Sequence, residues 1–72
     1  MKFYGYRERN ETDTPEALSE VSLVASPTTL RQIAAFLVRT ADLMEQHGPR
    51  FGHEHFQPQR PDQPAFIVAR EP

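Results

Sequence analysis

Cysteine is absent from this chain of 72 residues, and glycine occurs only three times. Without cysteine the chain forms neither a disulfide framework nor a thiolate metal site. Because the glycines are few and scattered, there is no glycine-rich phosphate loop and no glycine-flanked nucleophilic serine. These absences argue against an enzyme, and we predict no catalytic residue and no cofactor.

Long apolar runs are also missing. No stretch approaches the roughly 18 residues of a membrane span, and the first residues, MKFYGYRERNE, lack the apolar region of a signal peptide. A chain of this length has room for one hydrophobic core. We therefore expect residues 1–72 to form a single small domain located in the cytoplasm.

Positive charge is not in excess. The formal net charge is −2, and no basic stripe of the kind that binds nucleic acid is present. The acidic stretch ERNETDTPEALSE is expected to contain a solvated loop at about residues 8–19. Alternatively, it is a surface that attracts a basic partner.

A helix at about residues 27–47 is the best-specified element. Ser26 is a candidate N-cap, Pro27 suits the first helical position, and Gly48 with Pro49 ends the helix. Apolar residues recur at steps of three and four, as expected for one buried helix face: Leu30, Ile33, Ala34, Leu37, Val38, Ala41 and Met44.

Four segments have the composition of β-strands. They are KFYGYRER, EVSLVAS, RFGHEHFQ and PAFIVARE. The proline-rich residues 58–64 are predicted to form a hairpin loop between the last two segments. The predicted fold class is α+β: one amphipathic helix packed on a mainly antiparallel four-stranded sheet, in the order β-β-α-β-β.

Three histidines raise the question of a metal site. On a strand, His53 and His55 point to the same side, while His47 ends the helix. Zinc requires three or four converging ligands, and the sequence offers no further ligand motif. We therefore predict no metal ligands and expect these strand histidines to face solvent or a protein partner.

The helix carries more apolar surface than one sheet covers. Phe36 and Leu43 fall off the main apolar face, one heptad apart. Either the N-terminal strand or the acidic loop folds over them, or they form an interface. The candidate partner-binding residues are therefore Phe36, Leu43, His53 and His55, and we expect a protein partner, including a second copy in a homodimer, but no nucleic acid or membrane.

The segments EVSLVASPTTLRQIAAFLVRTADLM, FGHEHF and PAFIVAR together resemble immunity protein family 32 of bacterial polymorphic toxin systems. These small proteins combine a strand, a Ser/Thr-Pro-led helix, an H-x-H-like strand and a closing apolar strand. The resemblance implies a cytoplasmic bacterial protein that neutralises a cognate toxin by binding it. The alternatives are a small histidine-dependent metal-binding protein and a structural homodimer of unknown role.

Overall fold

A computed structural model describes residues 1–7, 14–56 and 62–72 of the chain. Within them, the chain is of the α+β class, with one α-helix and two antiparallel two-stranded sheets. The elements in chain order are β1 (Phe3–Gly5), β2 (Glu16–Leu18), α1 (Pro27–His47), a 3-10 turn (Gly48–Arg50), β3 (His53–His55) and β4 (Ile67–Ala69).

The helix predicted at about residues 27–47 is confirmed as α1, and its ends have the expected chemistry. The Ser26 side chain accepts a hydrogen bond of 3.2 Å from the backbone N–H of Thr29, which satisfies one free donor of the first turn. Gly48 has a φ of 55° and donates its N–H to the carbonyl of Met44. A residue with a Cβ is strained at this angle, so glycine ends the helix cleanly.

The N-terminal hairpin corrects one expectation. Its second strand, Glu16–Leu18, lies within the acidic stretch that was predicted to be a loop at about 8–19. The residues of this loop from 8 to 13 lie outside the described part of the chain. Phe3 pairs with Leu18 and Gly5 with Glu16. A Cβ at Gly5 would lie 3.0 Å from Leu18 Cδ1, so the bare glycine leaves room for this leucine.

The segment EVSLVAS was predicted to be a strand, and this prediction is wrong. Residues 20–26 pair with no other strand of the described chain. Val24 is 95% exposed, and Val21 and Leu23 are also exposed. Strand propensity is decided by packing and pairing, and here the partner β1 is already occupied by Glu16–Leu18.

The C-terminal hairpin pairs β3 with β4, as predicted. His53 lies opposite Ala69 and His55 opposite Ile67, and the N–H of Phe56 donates to the carbonyl of Phe66 at 2.9 Å. Of the predicted proline-rich loop at 58–64, residues 58–61 lie outside the described part. The two hairpins form separate sheets, so the described residues do not show the predicted single four-stranded sheet.

Three phenylalanine rings form the centre of the core. The Phe36 ring lies 5.5 Å from that of Phe56 and 6.1 Å from that of Phe66, and both pairs are edge-to-face. This arrangement is the favoured one for aromatic pairs. Phe36 is only 2% exposed, and Ile33 and Thr40 on the same helix face are also buried. The helix therefore packs through Ile33, Phe36 and Thr40.

The face of α1 that packs is not the one predicted from the sequence. The stripe of Phe36 and Leu43 was expected to lie off the packed side of the helix, yet Phe36 is among the most buried residues and Leu43 is half-buried. The C-terminal hairpin covers Phe36, whereas the N-terminal strand or the acidic loop had been the expected covers. Large aromatic side chains bury more area than leucine or alanine, so the three-ring cluster decides how the helix is oriented.

Candidate functional site: two exposed surfaces

The first candidate surface is an apolar face of α1 that the described part of the chain leaves uncovered. We call it the exposed helix face, and its members are Leu30, Ala34, Leu37, Val38 and Ala41. Leu30 is 44% exposed, Leu37 42% and Val38 65%, and both alanines are exposed. At 100° per residue these positions form one stripe beside the buried stripe of Ile33, Phe36 and Thr40. From the sequence, this stripe was predicted to be buried in the core.

Charged residues border the exposed helix face on one side only. Arg31 and Glu45 are exposed and lie seven residues before and after Val38. Seven residues are close to two helical turns, so all three share one flank of the stripe. The opposite flank is the buried packing face. The surface is therefore an apolar stripe with a cation at one end and an anion at the other.

The second candidate surface is the outer face of the C-terminal hairpin, which we call the histidine face: His53, His55, Ile67 and Ala69. Alternation along the paired strands puts these four residues on the side opposite Phe56 and Phe66. The His53 and His55 rings lie 5.0 Å apart, and Ile67 is 51% exposed. The structure thus brings the two predicted strand histidines together.

The histidine face does not assemble a metal site with the residues described. Within residues 1–7, 14–56 and 62–72, no three His, Cys, Asp or Glu side chains are grouped closely enough to hold a metal ion. His47, in the last turn of α1, therefore does not join His53 and His55. His55 Nδ1 is buried and finds no hydrogen-bond partner among the described residues. Imidazole nitrogens are both potential ligands and potential hydrogen-bond donors.

Arg70 links the C-terminal hairpin to the end of α1. Its guanidinium donates a hydrogen bond of 3.1 Å to the carbonyl of Met44. The same carbonyl also accepts the N–H of Gly48, and the negative end of the helix dipole favours a cation there. This contact adds to the phenylalanine cluster in fixing how the histidine face is oriented relative to the helix.

A shallow depression lies on the N-terminal hairpin. Its volume is about 310 Å³, and it is open to solvent. Its polar side chains do not form a nucleophile–base pair, because Lys2, Tyr4 and Ser19 make no hydrogen bond with one another among the described contacts. The lining residues are Met1, Lys2, Phe3, Tyr4, Ala17, Leu18 and Ser19.

In the described part of the chain, no helix has the length and apolar character needed to cross a bilayer. No family model, curated protein or solved structure significantly matches this chain. The two exposed surfaces are therefore the features from which a function is inferred.

Proposed function

We propose that this chain is a non-enzymatic binding protein of the immunity type, which neutralises a bacterial toxin in the cytoplasm by occluding it. The observation that carries the proposal is the histidine face. Two adjacent imidazoles, His53 exposed and His55 half-buried, lie beside a half-exposed isoleucine on one side of the hairpin. Such a mixed apolar and hydrogen-bonding patch suits a protein interface.

The histidine face is connected to α1 by contacts on its inner side and at the helix end. Its strands are tied to α1 by the Phe36, Phe56 and Phe66 rings on the inner side and by the bond from Arg70 to the helix end. A preorganised surface loses less conformational freedom when it binds a partner. The mechanism is steric occlusion, with His53, His55 and Ile67 in contact with the toxin.

Two further features support a toxin as the partner. The motifs that resemble immunity protein family 32 include the H-x-H strand, which is the strand that carries His53 and His55. In addition, the N-terminal part of the chain is acidic in sequence, and Glu20 is exposed within it, whereas Glu16 forms an ion pair with Arg7 at 3.2 Å. Negative charge there speeds the approach of a basic toxin by electrostatic steering.

The test uses the toxin domain encoded beside this chain in its source genome. We expect the purified chain to bind that domain with a Kd on the order of nanomolar. The double variant His53→Ala/His55→Ala should weaken binding by at least about tenfold. Val24→Ala, at an exposed site on another segment, is the matched control. Failure of the wild-type chain to bind, or equal binding by the double variant, would refute the proposal.

A metal-binding role is the second candidate, and the close pair of imidazoles favours it. His53 and His55 can supply two nitrogen ligands from one strand, and His55 Nδ1 has no partner among the described residues. A zinc site needs at least one more protein ligand. A metal would therefore bind weakly unless a partner protein supplied the remaining ligands.

A further inference from the structure

We propose that two copies of this chain associate through the exposed helix face, with their α1 helices antiparallel and related by a two-fold axis near Leu37 and Val38. This inference concerns a different surface from the histidine face, so it does not depend on the proposed function. It specifies the face, the orientation and the residue pairs of the interface.

The first argument is the amount of surface left open. On the exposed helix face, Leu30, Leu37 and Val38 are 44%, 42% and 65% exposed although their side chains are apolar. In the described part, the only buried apolar side chains are those of Ile33 and Phe36. The isolated chain is therefore short of buried core, and a second copy supplies it.

The second argument is that the exposed helix face is self-complementary when reversed. Ala34 and Ala41 lie at nearly equal distances on either side of Leu37 and Val38. When two helices run antiparallel about this centre, Ala34 of one copy meets Ala41 of the other. Small residues at both positions let the helix backbones approach closely, while Leu37 and Val38 of both copies pack at the centre. Such an interface, with one patch used twice, is the usual form of a symmetric dimer.

The third argument is charge. In the antiparallel arrangement, Arg31 of one copy lies beside Glu45 of the other, and the pair occurs twice by symmetry. A parallel two-fold arrangement instead sets the charged flank of one helix against the uncharged flank of the other, so these ion pairs are lost, and it aligns the two helix dipoles, which is unfavourable. Charge complementarity thus selects the antiparallel orientation.

The orientation can be tested by cross-linking, because the chain has no native cysteine. Val38→Cys should be joined to itself by a short bis-maleimide, since the two copies of this residue lie near the axis. Leu30→Cys should not, because the two copies of residue 30 are separated by about 22 Å along antiparallel helices at 1.5 Å per residue. A mixture of Leu30→Cys and Glu45→Cys chains should cross-link. Val24→Cys is the exposed control away from the helix.

The association itself is measured by light scattering of the full chain over a dilution series. We expect a mass of twice 8.3 kDa at micromolar concentration. Arg31→Glu should weaken association by about tenfold or more, and Arg31→Glu/Glu45→Arg should restore it. A monomeric wild-type chain would overturn the proposal, as would self-cross-linking of Leu30→Cys, which indicates parallel helices. Because none of these variants alters the histidine face, toxin binding by Arg31→Glu distinguishes failure of the dimer from failure of the proposed function.

Discussion

The Phe36 ring meets the Phe66 ring edge-on, with centroids 6.1 Å apart and ring planes at 89°. This contact joins the middle of α1 to the residue just before β4, which lies 30 positions further along the chain. It therefore holds the helix to the C-terminal hairpin. It also turns the apolar face of Leu30, Leu37 and Val38 outward, so the same packing that stabilises the fold creates the proposed dimer surface.

Removing the Phe36 ring should destabilise the fold severely. Phe36→Ala is expected to cost about 3–5 kcal/mol because it empties the centre of the aromatic cluster. In a domain of this size a single core rarely supplies more than about 3–5 kcal/mol of stability, so the variant should be largely unfolded by far-ultraviolet circular dichroism. Tyr6→Ala, which removes an exposed aromatic ring, is the control. Wild-type-like urea unfolding of Phe36→Ala would show that the cluster is not the core.

Replacing Thr40 by valine should stabilise the protein. The Thr40 hydroxyl is buried on the packing face of α1 and has no hydrogen-bond partner among the described residues. Valine has nearly the same shape and removes the desolvated polar group, so we expect a gain of about 1 kcal/mol. Thermal unfolding measures the change, with Thr28→Val at an exposed helix position as the control. A lower Tm for Thr40→Val than for the wild type would indicate that the hydroxyl is in fact bonded.

Gly48 should not tolerate a side chain. Its φ of 55° is costly for any residue with a Cβ, although nothing lies within 4 Å of where that atom would be. Gly48→Ala is therefore expected to lose about 1–2 kcal/mol from backbone strain alone. Gly52→Ala provides the matched control, since its surroundings are equally open and its φ is not positive. Equal stability of the two variants in urea would contradict this account of the helix end.

Zinc should bind the chain weakly. His53 and His55 supply two ligands, and the described residues provide no grouped third one. We therefore expect calorimetric titration at micromolar protein concentration to show no saturable heat. His53→Ala gives the baseline for adventitious binding. A saturable site that is lost in His53→Ala would favour the metal-binding alternative and would require a further ligand.

The helix was predictable because its signals are local. Ser26, Pro27 and Gly48 act on backbone groups within one turn, so their effects depend little on the rest of the fold. The strands were less predictable. The segment around Val21 and Val24 has stronger strand propensity than Glu16–Leu18, yet β1 pairs with the latter, because strand formation depends on a partner from elsewhere in the chain.

The two candidate surfaces also differ in how far the sequence predicted them. Alternation along a strand was enough to predict that His53 and His55 share a side. The exposed helix face could not be identified from the sequence. Two apolar stripes run side by side along α1, and their periodicity does not show which of them is buried. The excess of apolar positions indicated that one sheet would not cover both stripes, and it left open whether another segment would. The stripe that contains Phe36 and Thr40 has fewer apolar residues, yet it is the stripe that packs in the core.

By itself, the sequence determined where the helix begins and ends, which residues share a side of the C-terminal hairpin, and that the chain has more apolar helix surface than one small sheet can bury. These properties follow from short-range sterics and hydrogen bonding. Only the tertiary structure decided which stripe of α1 is buried and which segment pairs with β1. The first depends on contacts between distant residues, above all Phe36 with Phe56 and Phe66, and the second on which segment is available to pair with β1.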